Sequence, residues 1–113
     1  MFSKKLKWYP LFENKEALEE AFLGKEAFVH RSMFGEVLLL RNKDKFYAFK
    51  NKCPHQNKPL NDCTVQDGFI ICPFHRYHFS IENGQGHGLC VDKYQIKMEG
   101  GQVFLGKEVW SIF

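Results

Sequence analysis

The chain has 113 residues, of which 44% are hydrophobic and 26% are charged. This length and composition are those of one globular domain, and they exclude a two-domain enzyme. Sixteen Lys and Arg against thirteen Asp and Glu give a formal net charge of +3. The excess is mild and no basic run exceeds two residues, so nucleic-acid binding is not predicted. The longest aliphatic run, Val37 to Leu40, is far below the roughly 20 apolar residues of a membrane span.

The amino terminus and the cysteines indicate a compartment. Residues 1–7 are basic, but neither an apolar stretch nor a small-residue cleavage site follows them as in a secretion signal. We therefore expect a cytoplasmic protein that does not bind membranes. Thiols stay reduced in the cytoplasm, so cysteines that lie in a pattern with histidines indicate metal binding before disulfides.

One helix is predicted, near the amino terminus. The segment from Asn14 to Leu23 carries apolar residues at helical spacing, with Asn14 as its N-cap and Gly24 as its stop. The chain contains no repeat, linker or low-complexity segment. Residues 1–113 are therefore expected to form one domain.

Short β-rich runs alternate with turn residues over the rest of the chain. The runs are Lys25–Arg31, Glu36–Arg41, Lys45–Phe49, Phe69–Cys72, Tyr77–Ile81, Lys93–Met98 and Gln102–Leu105. The turns between them are Asn42-Lys43-Asp44, Gln66-Asp67-Gly68, Asn83-Gly84 and Glu99-Gly100-Gly101. This pattern predicts a small antiparallel all-β fold, of the sandwich or barrel type, with one short helix.

Two loops, at about 51–63 and 72–80, carry the residues of a metal site. The first contains Cys53 and His55 and the second Cys72 and His75, in the pattern C-x-H, sixteen residues, C-x2-H. Thiolate suits iron–sulfur clusters, zinc and copper, while imidazole suits zinc, copper and iron. Zinc could use the same four ligands, but structural zinc loops usually separate their ligands by two to four residues. The one-residue gap in the first loop is unusual for zinc.

This spacing, with a proline after each cysteine, resembles the Rieske iron–sulfur family. The resemblance covers nearly the whole chain, because it extends to Trp8-Tyr9-Pro10-Leu11, Phe46-Tyr47-Ala48-Phe49, Asp67-Gly68 and Glu99-Gly100-Gly101. It implies the Rieske fold, with a cluster-binding subdomain that holds one [2Fe–2S] cluster per chain. It also implies that Cys53 and Cys72 bind one iron, and that His55 and His75 bind the other.

The resemblance also implies a subclass. High-potential members of the family carry an extra cysteine in each ligand loop and join the two by a disulfide, where this chain has Lys58 and Phe74. Those members also have a serine and a tyrosine whose hydroxyls bond to cluster sulfurs, where this chain has Tyr77 and Phe79. The sequence therefore resembles the low-potential Rieske ferredoxins that feed oxygenases.

A soluble one-electron carrier is the function that this resemblance implies. Four protein ligands leave no open metal position for a substrate, so an electron relay is expected and not an enzyme. The expected partners are a flavin-containing reductase as donor and an oxygenase-type protein as acceptor. Two alternatives stay open: a small Rieske subunit bound permanently to a larger oxygenase or reductase, and a zinc-stabilised interaction domain.

The histidine end of the site is expected to face the partner. In this family the two histidines, here His55 and His75, lie at the exposed tip. Lys58 and Arg76 flank them in the sequence and place two positive charges beside the electron exit. Such charges steer a partner of opposite sign. Phe74, between two ligands, is expected to shield the cluster from water.

The remaining cysteines and histidines lie outside the ligand pattern. Cys63 and Cys90 are expected to be small buried hydrophobes. His30, His78 and His87 are expected to be hydrogen-bonded or exposed. No helix follows the three glycines between residues 84 and 88, so they do not predict a nucleotide-binding loop. The resemblance implies that this segment closes over the cluster.

Overall fold

The fold consists of eleven strands and one helix in the part of the chain that the structure, a computed structural model, describes. The described residues are 3–32, 35–54, 58–60, 63–72 and 76–111. The elements in chain order are β1 Ser3–Phe12, α1 Lys15–Ala21, β2 Ala27–Ser32, β3 Gly35–Asn42, β4 Lys45–Lys50, β5 Thr64–Gln66, β6 Phe69–Ile71, β7 His78–Ser80, β8 Gln85–Gly86, β9 Leu89–Cys90, β10 Lys93–Glu99 and β11 Gln102–Ser111.

The strands form three antiparallel sheets. The large sheet has the order β1-β11-β10-β4-β3-β2, a smaller one has the order β5-β6-β7, and β8 pairs with β9 in a two-stranded ribbon. Four hairpins turn through two residues that both have positive φ, as a type I′ turn requires: Lys43-Asp44, Asp67-Gly68, His87-Gly88 and Gly100-Gly101. These tight turns fix the register of each hairpin.

Strand β3 separates two hydrophobic cores. Leu38 and Leu40 face the core that contains the buried cysteines, which we call the cysteine-side core. Val37 and Leu39 face the other core, which is covered by α1 and which we call the helix-side core. Side chains alternate between the faces of a strand, and here both faces are buried. This explains why the sequence has an unbroken aliphatic run at this position.

The smaller sheet packs on one face of the large sheet through the cysteine-side core. Ile70 of β6 and Phe79 of β7 are fully buried there beside Phe49 of β4. The first cysteine loop leaves the end of β4, and the second joins β6 to β7. Both loops therefore begin on strands that share one core, which brings their first residues together.

The predicted helix is confirmed in a shorter form. It spans Lys15–Ala21, and the Asn14 side chain caps it by accepting a hydrogen bond from the Ala17 amide at 2.7 Å. The chain then enters the left-handed region at Leu23 and Gly24, with φ values of 50° and 76°. This left-handed pair ends the helix, as Gly24 predicts. No helix in the described ranges is long and apolar enough to cross a membrane.

All seven predicted strands are present with shifted ends, but four strands were not predicted. Lys25–Arg31 begins two residues late as β2, and Gln102–Leu105 continues to Ser111 as β11. The additional strands are β1, β5, β8 and β9. The all-β fold with one short helix is confirmed for the described residues.

Candidate metal centre

Two cysteine thiols meet in the interior of the protein. Cys53 and Cys72 are fully buried, and their Sγ atoms lie 3.3 Å apart. No disulfide joins them, since the separation is far greater than the ~2.05 Å of a disulfide bond. Two metal–sulfur bonds of about 2.3 Å from one ion easily span that distance. The pair can therefore ligate the same metal atom.

The two loops are closed in the same way. The Cys53 amide donates to the Lys58 carbonyl at 2.8 Å, and the Cys72 amide donates to the Tyr77 carbonyl at 2.9 Å. Each cysteine thus bonds to the residue five positions later, so each loop encloses the positions of the predicted histidine. The two loops present one cysteine each from matching positions.

Other backbone features hold the loops in place. The Leu60 amide donates to the Asn51 Oδ1 at 2.8 Å, which ties the far side of the first loop to its start. Arg76 has a φ of 53°, in the left-handed region, immediately before Tyr77. A non-glycine residue in this conformation is uncommon and costs backbone energy. Here it lies where the second loop turns back into β7.

The thiol pair has apolar surroundings. The cysteine-side core around it includes Leu60, Ile70 and Phe79, all fully buried, and Cys63, which is 9% exposed. Charged thiolates are costly in such surroundings unless a cation neutralises them. Two soft donors in an apolar interior therefore fit a soft or borderline metal, such as the iron of an iron–sulfur cluster.

Both predicted histidine ligands, His55 and His75, lie outside the described residues, as does Phe74. The described ranges contain no group of three or more His, Cys, Asp or Glu side chains that could hold a metal ion. The structure thus brings together the two predicted cysteine ligands. The four-residue ligand set stays a prediction.

The ribbon β8–β9 lies against the strand that follows the second loop. His87, in its turn, accepts a hydrogen bond at Nε2 from the His78 amide at 3.2 Å. Its ring lies on that of Tyr77, with centroids 4.5 Å apart. A side chain at position 86 would collide with the backbone of His78 and Phe79, so Gly86 is required for this close approach. Sequence reasoning missed this role of His87, because only the fold brings it to Tyr77.

The three histidines outside the ligand pattern differ in their surroundings. His78 and His87 are exposed, as expected. His30 is half-buried and not exposed: its ring lies by those of Phe12 and Phe28, at centroid distances of 4.8 and 6.3 Å. Burial lowers the pKa of His30 below its usual value.

The two cysteines outside the pattern also differ. Cys63 is buried in the cysteine-side core, as expected. The expectation of burial was wrong for Cys90, which is exposed on β9. Its thiol contacts the carbonyl oxygens of Asn83 and Val91 at 3.5 and 3.4 Å. A ribbon of two-residue strands at the surface cannot cover both of its faces.

Comparison with known proteins identifies this pair of loops. The family model of the Rieske [2Fe-2S] domain matches residues 7–97, which include both loops. The chain belongs to the Rieske [2Fe-2S] domain family. Its cofactor is accordingly one [2Fe–2S] cluster.

Individual known proteins are similar to the chain in sequence or in fold. The ferredoxin component of the alkene monooxygenase system of Xanthobacter autotrophicus is 39% identical over 77 residues. The alignment covers 65% of this chain and 63% of that relative, so the chain spans less than two thirds of the relative's length.

Two solved structures show the same fold. A chain in the complex of reduced oxygenase and oxidized ferredoxin in carbazole 1,9a-dioxygenase has a TM-score of 0.67 at 18% identity, with 87% of this chain and 91% of that chain covered. A putative NADH-dependent nitrite reductase small subunit from Mycobacterium tuberculosis has a TM-score of 0.71 at 15% identity, covering 91% and 96%. At these identities the likeness concerns the fold alone.

Proposed function

We propose that this chain is a one-electron carrier that takes electrons from a flavin-containing reductase and delivers them to an oxygenase-type acceptor. The observation that carries the proposal is the buried Cys53–Cys72 pair, at 3.3 Å, in a chain of the Rieske family. The acceptor class rests on the 39% identity to a ferredoxin component of a monooxygenase system. The cytoplasm is the proposed compartment, because thiols stay reduced there and no disulfide is present among the described cysteines.

We assign the ligands by residue type, with one cysteine and one histidine from each loop. Cys53 and Cys72 would hold one iron as thiolates, and His55 and His75 would hold the other through neutral imidazoles. The short distance between the sulfurs and the matching closure of the two loops support this assignment. When bound, the cluster stores one electron. Two thiolates balance the +2 charge of two ferric ions and two sulfides, so the oxidised site is neutral.

The chain's own residues would make this electron transfer fast, because they exclude water and hold the ligands in place. The apolar side chains around the cysteines exclude water from that side of the site, and the hydrogen-bonded loop closures hold the thiolates in fixed positions. A rigid, dry site reorganises little when its charge changes by one electron. With four protein ligands in place no metal position is open to a substrate, so we propose that the chain itself is not a catalyst.

Metal analysis tests the proposal. Protein purified without oxygen should contain two irons and two acid-labile sulfides per chain, whereas one zinc per chain would overturn it. Cys53→Ser and Cys72→Ser should each abolish the visible spectrum, because each removes a thiolate. Histidine ligation is tested separately by labelling histidines with nitrogen-15 and recording electron–nuclear couplings of the reduced protein. The wild type should show coupling to two histidine nitrogens, and the His55→Ser and His75→Ser variants should each lose one of these couplings.

A second measurement distinguishes a soluble carrier from a subunit that is permanently bound to a larger chain. Gel filtration of the native extract, followed by the visible spectrum of each fraction, should find the chain free of larger partners. Co-elution with a larger catalytic chain at all salt concentrations would favour the subunit alternative.

A further inference from the structure

A groove lined by lysines begins at the base of the first cysteine loop. Beside Pro54, Lys50 and Lys52 line a hollow of about 240 Å³ together with Cys90 and Asp92. The same two lysines and Asp92 also line a larger groove of about 730 Å³, which runs onto β1, β10 and β11. The two hollows thus share three lining residues, and the smaller one lies next to Pro54, the residue after Cys53.

The charge of the larger groove is predominantly positive. The larger groove is lined by five lysines, Lys4, Lys50, Lys52, Lys93 and Lys107, and by three carboxylates, Glu36, Asp92 and Glu108. One of the carboxylates, Glu108, is already paired with Lys4 at 3.6 Å, and the Lys93 ammonium donates to the Glu82 carbonyl oxygen at 2.6 Å. Lys50 and Lys52 form no ion pair with any described residue. They are the exposed cations at the loop end of the groove.

The backbone fixes these two lysines relative to the thiol pair. The Lys50 amide donates to the Asp92 carbonyl at 2.8 Å, and the Lys52 amide donates to the Lys50 carbonyl at 2.8 Å. The resulting bend ends at Cys53, whose Sγ lies 3.3 Å from that of Cys72. The lysines thus stand one and three residues before a buried thiol of the site. Their position is set by the same strand that places that thiol.

The charged residues within the described parts of the two loops all have the same sign. Among the described residues between 50 and 60 and between 76 and 78, every Lys, Arg, Asp or Glu is positive, namely Lys50, Lys52, Lys58 and Arg76. All four are exposed. A positive field beside the electron's exit attracts a negatively charged partner and repels a positive one.

We infer that the Lys50–Lys52 groove is the docking surface for an acidic face of the electron-transfer partner. The inference rests on the proposed function, because it takes the thiol pair as the electron site. An acidic segment in the groove would lie beside the first loop and bring the partner's redox centre close to the cluster. Rim charges of this kind change the association rate and its dependence on salt more than the final affinity.

Small redox ions of opposite charge measure the field at the exit. The reduced protein is mixed with ferricyanide, an anion, or with hexaamminecobalt(III), a cation, at several salt concentrations. We expect Lys50→Glu with Lys52→Glu to slow oxidation by the anion about threefold or more at low salt and to speed oxidation by the cation. The two rates should approach the wild-type values at high salt.

A charge-matched control separates local from global effects. Lys25→Glu with Lys43→Glu makes the same change in net charge at two exposed lysines near the opposite end of the β3–β4 hairpin. At an ionic strength of about 0.1 M this control should keep the wild-type rates within about 30%, because charges more than about 10 Å from the exit are then largely screened. Equal rates in the two double variants would overturn the docking surface.

Binding of an acidic chain tests the groove itself. Poly-L-glutamate of about twenty residues should shift the amide resonances of residues 50–52 and 92–95 and should lose this binding in the Lys50→Glu, Lys52→Glu variant only. Equal binding by both double variants would overturn the inference. Failure of the proposed function looks different, because a protein that binds no cluster is colourless.

Discussion

The imidazole of His87 lies on the ring of Tyr77, with centroids 4.5 Å apart and an interplanar angle of 30°. The carbonyl of that tyrosine accepts the hydrogen bond from Cys72 that closes the second loop. His87 also holds the amide of His78 through Nε2. The turn of the β8–β9 ribbon is therefore connected to a cysteine of the site through one intervening residue.

We predict that His87→Ala weakens retention of the cluster. Removing the imidazole leaves the His78 amide without this acceptor and uncovers Tyr77, so the second loop should open more often. We expect bleaching of the visible spectrum in the presence of an iron chelator to be several-fold faster than in the wild type. His87→Gln keeps an acceptor and should be intermediate.

Gln85→Ala on the same ribbon is the matched control, because its side chain is exposed and outside these contacts. It should bleach at the wild-type rate. A His87→Ala variant that bleaches no faster than this control would contradict the link between ribbon and loop.

The two cysteines outside the ligand pattern should be dispensable for the cluster. Cys63→Ser places a hydroxyl in the cysteine-side core and should lower the free energy of unfolding by about 1–3 kcal/mol, while Cys90→Ser changes an exposed position and should have little effect. Both should keep the visible spectrum. Absorbance per iron after anaerobic purification checks this, with Cys53→Ser as the variant expected to be colourless. Loss of colour in Cys63→Ser or Cys90→Ser would reassign the thiolates.

The reduction potential should lie near the low end of the Rieske range, at about −150 mV. Hydrogen bonds to cluster sulfurs stabilise the more negative, reduced form, and the two residues at the positions that supply them in high-potential members are Tyr77 and Phe79. Phe79 has no hydroxyl and is fully buried in the cysteine-side core. Voltammetry measures the potential directly, and Phe79→Tyr should raise it. A wild-type value well above zero would contradict this prediction.

Sequence patterns predicted the turns at Lys43-Asp44, Asp67-Gly68 and Gly100-Gly101 because a turn depends on neighbouring residues, whereas the pairing of Cys53 with Cys72, 19 residues apart, was implied by the family resemblance. The two-residue turns need positive φ values, which Asp-Gly and Gly-Gly supply, and the C-x-H and C-x2-H loops each carry their own closure. Strand β1 escaped prediction because it is an edge strand and contains Pro10 and three exposed lysines. Among the described strands it pairs with β11, near the distant end of the chain. Exposure of Cys90 and packing of His87 likewise depend on where a short ribbon lies in the fold.

Acid should destabilise the protein partly through His30 of β2. Half-burial against Phe12 and Phe28 lowers the pKa of this histidine in the folded state, whereas in the unfolded chain it stays near the usual value of about 6.5. Above that pH the side chain is neutral in both states, and its contribution to stability is fully present. As the pH falls below about 6.5 the unfolded chain takes up a proton that the folded one does not, so the free energy of unfolding declines until the lower folded pKa is reached.

The melting temperature of the His30→Gln variant should therefore fall less between pH 7 and pH 5 than that of the wild type. Val29→Ala on the same strand removes apolar packing but no titrating group, so it should melt lower at every pH with the wild-type slope. Melting curves of the cluster-loaded proteins across this pH range decide the matter, and identical slopes for His30→Gln and the wild type would show that burial of His30 does not drive the acid sensitivity.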